Sequence, residues 1–449
     1  MNRTVVAAVI LVLAGLSFGQ DFETWIELPD SSAPFDGAWS ATQNAVYMTN
    51  PVLDRVVVID GATNGIIDYV SVGLRPEQAV WHSTNDRVFV GNLGDSSVSV
   101  IECASNTVVA TIPVGNWPGA LVSDPDRDQV YAANLYGSSV SVIDAATNSV
   151  VATVPVGAYP LALTLATHTD RLFVACYGTD EVVAINLTNN TTLEPQPVGQ
   201  YPWSLAYVPL GRVYCACYGS NTVEVIDATV GRRTKVITGV GLEPHSIAAG
   251  GRYVYSANIG SNDVAVIDTY VDSLVRTIRL SSGAEPRAMA FDGVMEKMYC
   301  VLTGTNKVAV FADGSLLKTV GVKPASEGLV LNSTDLRVYV GGYTTDTIAV
   351  IRDTPPGGVE ELPVGPARPG ELVARPQPAR DLAVVELGRG FRGTVELYDS
   401  QGRSVLGSDV AAGPDGRARI PLLGLAPGVY LAELRNEAGP RRARIVVAP

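Results

Sequence analysis

One spacing governs what this chain can fold into. Val-Gly pairs end at Gly73, Gly115, Gly157 and Gly199, a step of 42 residues, and Gly241 and Gly283 keep the step before Gly321 shortens it to 38. Three residues after each glycine stands a proline, from Pro76 through Pro118, Pro160, Pro202, Pro244 and Pro286 to Pro324, and one step earlier lies Pro34. A second marker is an aromatic in a Val/Ile-rich strand, at Tyr47, Phe89, Tyr131, Phe173, Tyr214, Tyr255, Tyr299 and Tyr339. A third is Val-x-Val-Ile-Asp, ending at Asp60, Asp144, Asp227 and Asp268. Alternating β-branched residues and turn-rich gaps argue for strands. The third unit reads as Ala120–Val122, Gln129–Ala133, Val140–Asp144 and Val150–Val156. Four short strands every 40 to 45 residues or so mark a β-propeller. Eight sets of markers predict eight blades, with seven as the alternative.

The Tyr-Val-Thr-Asn-type strands, the Val-Ile-Asp strands and the closing Val-Gly-x-x-Pro resemble the YVTN β-propeller repeats of bacterial and archaeal surface-layer and secreted proteins, over about residues 22–365. The resemblance implies a fold more than a function. Phe22–Leu28 reads as a lone fourth strand that completes the last blade beside Leu336–Asp353, with Val359–Val364 as a competitor. Either choice hides an exposed edge.

Both ends depart from the repeat. Arg3, the apolar run Val5–Leu16, and small Ser17 and Gly19 before Gln20 have the pattern of a Sec signal peptide, too short an apolar run to span a bilayer. The expected division is a leader at 1–19, a propeller at 20–354, a Pro/Gly linker at 355–370 and a small Ig-like β-sandwich at 371–449. Strands are expected at Leu382–Leu387, Gly393–Tyr398, Ser404–Val410, Gly416–Pro421, Gly428–Arg435 and Arg442–Val447, with a hairpin turn at Asp399–Gly402. Pro376-Gln-Pro378, Tyr398-Asp-x-x-Gly402-Arg403 and Leu425-Ala-Pro-Gly-Val-Tyr430-Leu431 resemble C-terminal sorting domains of type IX secretion, or the related Ig-like domain of flagellar hook-capping proteins. The resemblance implies contact with secretion machinery and a secreted or cell-surface location.

Charge separates the two regions. The whole chain carries −13, but residues 20–365 hold 36 acids and 19 bases, a balance of −17. The tail from 366 onward has 12 Arg, no Lys and 9 acids. An acidic propeller argues against nucleic acid as a partner. No apolar run is long enough for a transmembrane helix.

Catalytic signals are sparse. The expectation is no catalytic set, no metal and no cofactor. Cys103, Cys176, Cys215, Cys217 and Cys300 are too few for a disulfide scaffold, and no C-x-x-C-H haem motif occurs. Cys215 and Cys217 are expected on opposite faces of their strand. His82 and His168 fall in hairpin turns and are expected at the surface. Asp124-Pro-Asp-Arg-Asp128 lacks the glycine and terminal acid of a calcium loop. The periodic Asp60, Asp144, Asp227 and Asp268 fit turn caps. An enzyme, by the likeness to propeller lactonases, lyases and a haem d1 nitrite reductase, would need polar groups at the channel mouth. Glu243, His245, Glu285 and Arg287 form that alternative set.

The loops of one rim stand out more. Fourth-to-first and second-to-third strand loops share one face of a propeller. Trp117, Tyr159 and Tyr201 precede the prolines of units three to five, Tyr136, Tyr177 and Tyr218 sit in the second kind of loop, and Trp203 follows Pro202. Tyr343 stands alone in unit eight. Elsewhere the pre-proline position holds Arg75, Glu243, Glu285 and Lys323. One arc is thus expected to be aromatic and the other charged. Tyr and Trp with polar tips suit a surface glycan or a protein or peptide ligand. The competing reading is that these rings pack blade against blade.

Overall fold

The computed structural model describes residues 20–353 apart from 31, 324–327 and 343, and the strands between 374 and 447. The expected leader, Pro324, Tyr343, the linker at 355–370, Val359–Val364 and Asp399–Gly402 lie outside the described residues. Two compact units are present, Met1–Gly358 and Val359–Pro449.

Within the first unit the described strands form eight antiparallel sheets, seven running in chain order from first to outer strand and the eighth closed by an outer strand from the N-terminal end. The first strands of blades 1 to 8 are Gly37–Ser40, Pro76–His82, Pro118–Asp124, Pro160–Ala166, Pro202–Val208, Pro244–Gly250, Pro286–Asp292 and Leu329–Asn332. Successive first strands lie side by side, and that of blade 8 meets that of blade 1, so the ring closes around a central channel. The protein has an eight-bladed β-propeller, and seven is excluded.

The core lies between blades rather than inside one. Eight apolar clusters each join a neighbouring pair, as with Tyr131, Val140 and Val142 of blade 3 against Leu172, Val174 and Ile185 of blade 4. The recurring strand aromatics drive this packing and are fully or nearly fully buried. Several tyrosine hydroxyls reach the next blade. Tyr47 donates to Asn106 at 2.9 Å, Tyr299 to Asp353 at 2.5 Å and Tyr339 to Asn64 at 2.7 Å, while Tyr255 accepts from the Gly314 amide. Each such ring removes roughly 150–250 Å² from water. This is the structural use of aromatic residues expected of repeats.

Ring closure follows the sequence. Gln20–Glu27 pairs antiparallel with Thr347–Asp353 and supplies the outer strand of blade 8. Arg337 grips Glu23 at 2.6 Å, and Lys297 meets Asp353 at 2.6 Å with both side chains buried. Blade 4 has the one irregular outer strand among the described blades, broken into Thr191–Thr192 and Gln196–Pro197. Pro195 and Pro197 have no N–H for the ladder, which accounts for the break.

Two expectations need correction. His82 is not a surface turn residue. It ends the first strand of blade 2 with no exposed area, its Nδ1 3.1 Å from Asn85 Oδ1 and its ring against Phe89. Burial lowers its pKa. Cys215 and Cys217 do not face apart, because residues two apart on a strand share a face. Their sulfurs lie 3.8 Å apart in the core between blades 4 and 5. His168, by contrast, is exposed, in a 3-10 turn. The periodic aspartates cap turns: Asp144 accepts from the Thr147 amide and Asp227 from the Thr229 amide, both at 2.7 Å. Asp124 is occupied by Arg127 at 3.0 Å.

In the second unit, Ala374–Arg375, Leu382–Glu386 and Arg417–Pro421 form one antiparallel sheet. Arg392–Tyr398, Ser404–Ala411, Gly428–Asn436 and Gly439–Val447 form another. These ranges follow the expected strands closely.

Candidate functional site on the loop rim

The rim is built from one local device. The residue before the blade proline adopts a left-handed backbone at Arg75, Trp117, Tyr159, Tyr201, Glu243 and Glu285, with φ between 48° and 63°. That region disfavours residues with a Cβ by about 1–2 kcal/mol. Hydrogen bonds on both sides hold it. The amides of Arg75, Tyr201, Glu243 and Glu285 donate to Asp54, Asp180, Asn221 and Asn262 of the preceding blade at 2.7–2.9 Å. The six carbonyls accept from Leu93, Leu135, Tyr177, Tyr218, Ile259 and Thr303 of their own second-to-third loops. The device brings the two kinds of rim loop together.

In blades 3 to 5 this places the expected aromatic residues in contact. Trp117 meets Tyr136 edge-on at 5.2 Å, and Tyr136 meets Tyr159 at 5.8 Å. Tyr177 stacks on Tyr201 at 4.8 Å and meets Trp203 edge-on at 5.7 Å. Trp203 touches Tyr218 at 5.4 Å and His245 at 4.8 Å. The two groups adjoin at the Tyr177-Gly178 loop, because Tyr159 lies over Gly178, where a Cβ would come 2.5 Å from the ring. Tyr201 lies over Gly219 in the same way. Tyr136, Tyr159 and Tyr201 remain 54%, 45% and 44% exposed, while Trp117, Tyr177, Trp203 and Tyr218 are half-buried beside them. The rings therefore form a mutually supported ridge with open faces, unlike the buried strand aromatics. The sequence reading placed Arg75 on the charged arc but missed that its guanidinium sits over Trp117 at 4.7 Å, while pairing with Glu77. It also missed exposed Leu74 and Leu242, one residue before the pre-proline position in blades 2 and 6.

The channel-mouth set is only partly assembled. His245 directly follows Pro244, and burial together with nearby Arg287 pushes its pKa down to about 4, so the imidazole is neutral near pH 7. Its Nδ1 is buried without a hydrogen-bond partner. Arg287 faces Glu285 at 4.0 Å. Glu243 lies near Tyr218 and, after burial, helps raise that phenol's pKa. Among the described residues no cluster of His, Cys, Asp or Glu is placed to hold a metal. None of their helices is long and apolar enough to cross a membrane.

The comparisons bear on the tail and the fold. Residues 375–448 match the secretion system C-terminal sorting domain family. The match implies export with sorting to the cell surface for a propeller protein, and points to contact of its tail with secretion machinery. No curated protein matches the chain. Among solved structures, it is similar to the computationally designed Ika8 protein, at 16% identity and TM-score 0.62, over 74% of this chain and 99% of that one. It is similar to hydrazine synthase of Kuenenia stuttgartiensis at 17% identity and TM-score 0.53, over 73% of this chain and 97% of that one. A streptogramin B lyase aligns at 12% identity and TM-score 0.52, over 74% of this chain and 97% of that one. At these identities the likeness is one of fold.

Proposed function

We propose that the protein is a non-enzymatic binding module of the cell surface or extracellular space, which contacts a glycan or a protein or peptide ligand through its loop face. The observation that carries this reading is two groups of ring contacts, Trp117–Tyr136–Tyr159 and Tyr201–Tyr177–Trp203, which adjoin at Gly178 across three neighbouring blades with three tyrosines left open to solvent. Rigid rings bury much area at little entropic cost, which is why Tyr and Trp dominate binding hot spots. The propeller, taken as residues 20–354 and of YVTN type, would present this face after removal of a Sec leader at 1–19. The tail at 371–449, Ig-like and joined by the linker at 355–370, would act as a type IX sorting signal. A glycan and peptide array probed with the exported chain tests the binding reading, which requires ligands lost on joint replacement of Tyr159 and Tyr201.

A second reading, a lactonase- or lyase-like enzyme, draws on His245. A neutral imidazole with an unpartnered Nδ1 beside Arg287 is free to accept a proton, though its lowered pKa makes it a weak base. It requires a turnover that His245→Ala abolishes.

A further inference from the structure

We propose that the corner made by Tyr177, Trp203 and Tyr218, closed by Glu243, is a subsite for an organic cation, namely a lysine or arginine side chain of a partner protein segment. This rests on the reading of the loop face as a binding surface and commits it to one class of ligand. Three rings meet here: Tyr177 edge-on to Trp203 and Tyr218 inclined 36° to it, at 5.4–5.7 Å. Aromatic faces carry negative potential and attract ammonium or guanidinium groups, Trp most strongly. Glu243 adds a negative charge on a backbone held in place. Its amide donates to Asn221 at 2.7 Å, its carbonyl takes the Ile259 amide at 3.1 Å, and its carboxylate lies near enough to Tyr218 to help raise that phenol's pKa. Gly260 admits the carboxyl group against the backbone, where a Cβ would come within 3.1 Å of it.

Two further observations favour a cation. The far end of the same ridge already holds one, with the Arg75 guanidinium over Trp117 at 4.7 Å. This shows that the rim geometry admits a planar cation over a ring. The propeller balance of −17 draws positively charged segments toward the molecule over a Debye length. Of the neighbouring basic groups, His245 under Trp203 is neutral, while Arg287 is near enough for its charge to act on Tyr218 and His245 and faces Glu285 at 4.0 Å. A neutral sugar would use the rings and could donate hydroxyls to Glu243, but offers no positive charge to match it.

Calorimetric titration of the full exported chain with a hexalysine peptide, tetramethylammonium and a neutral cello-oligosaccharide tests this. Hexalysine is expected to bind, with affinity falling as salt rises. Glu243→Gln and Tyr177→Leu should each weaken it about tenfold, with thermal unfolding unchanged in the Gln variant. Measurable tetramethylammonium binding, weaker than that of hexalysine, would support the ring corner itself. Hexalysine binding indifferent to Glu243→Gln overturns the subsite, as does binding of the oligosaccharide alone, which leaves the loop-face reading standing. Binding by no probe, together with a blank array, overturns both.

Discussion

Before the blade proline, blades 3, 4 and 5 carry Trp117, Tyr159 and Tyr201, whereas blades 2, 6 and 7 carry Arg75, Glu243 and Glu285. All six share the left-handed backbone and the same carbonyl partner in the second-to-third loop. Strained backbone is often a mark of function. Here it recurs under six different side chains and belongs to the architecture. The information lies in the choice of residue at a position whose geometry is fixed. That separates the arcs: one is a ridge of rings in contact, the other a set of carboxylates and cations spaced round the channel mouth.

The largest expected effect lies where the arcs meet, at His245. Its folded pKa is about 4 against an ordinary 6.5, so between these values the unfolded chain binds a proton that the folded chain does not. Its cost is therefore absent above about pH 6.5 and grows as pH falls toward 4, to at most about 3 kcal/mol. Denaturant melts across this window should show His245→Asn losing less stability than the parent. An equal slope in both would break the assignment.

A matched pair of glycines probes ring against carboxylate. In Gly219→Ala the new Cβ would come 2.6 Å from the Tyr201 ring, which is hemmed by Tyr177, and overpacking of this kind costs about 1–3 kcal/mol. In Gly260→Ala the Cβ meets the Glu243 carboxyl group and Leu242 Cβ, each at 3.1 Å, a milder crowding whose cost should stay below about 1 kcal/mol. Thermal unfolding of the two variants measures the difference, and equal shifts would remove the distinction between the arcs.

Smaller still is the effect of Tyr159→Gly and Tyr201→Gly on stability. Relief of the left-handed strain, about 1 kcal/mol, offsets lost ring contacts, so each variant should melt within about 1 kcal/mol of the parent. A drop of several kcal/mol would show that the ridge serves blade packing. Glu285→Gln, at an exposed ion pair 4.0 Å long, should change stability by less than about 0.5 kcal/mol.

Much of the fold was legible because a repeat reports itself. The Gly-x-x-Pro step, the strand aromatics and the Val-Ile-Asp strands each mark one place in every blade, so eight blades and the closing strand at Gln20–Glu27 follow from counting. What departs from the repeat was harder to read. Blade 4 breaks its outer strand because two prolines fall in it. His82 ends a strand that runs further than its turn composition implies, and is buried. The Cys215 and Cys217 pairing needed only the two-residue period of a strand, which the sequence supplies. Of the rim, the aromatic positions could be read from alignment of the units, but not that Arg75 covers Trp117 or that Glu243 lies near Tyr218. Those contacts cross from one blade to the next, and side chains from two loops meet only once the ring has closed.

The account rests on the aromatic ridge being a binding surface rather than a seam between blades. The most direct measurement compares ligand binding and thermal unfolding in one variant, Tyr159→Gly with Tyr201→Gly. The account predicts that ligands found on the array bind at least about tenfold more weakly while the melting temperature holds. Undiminished binding with a lowered melting temperature would contradict it.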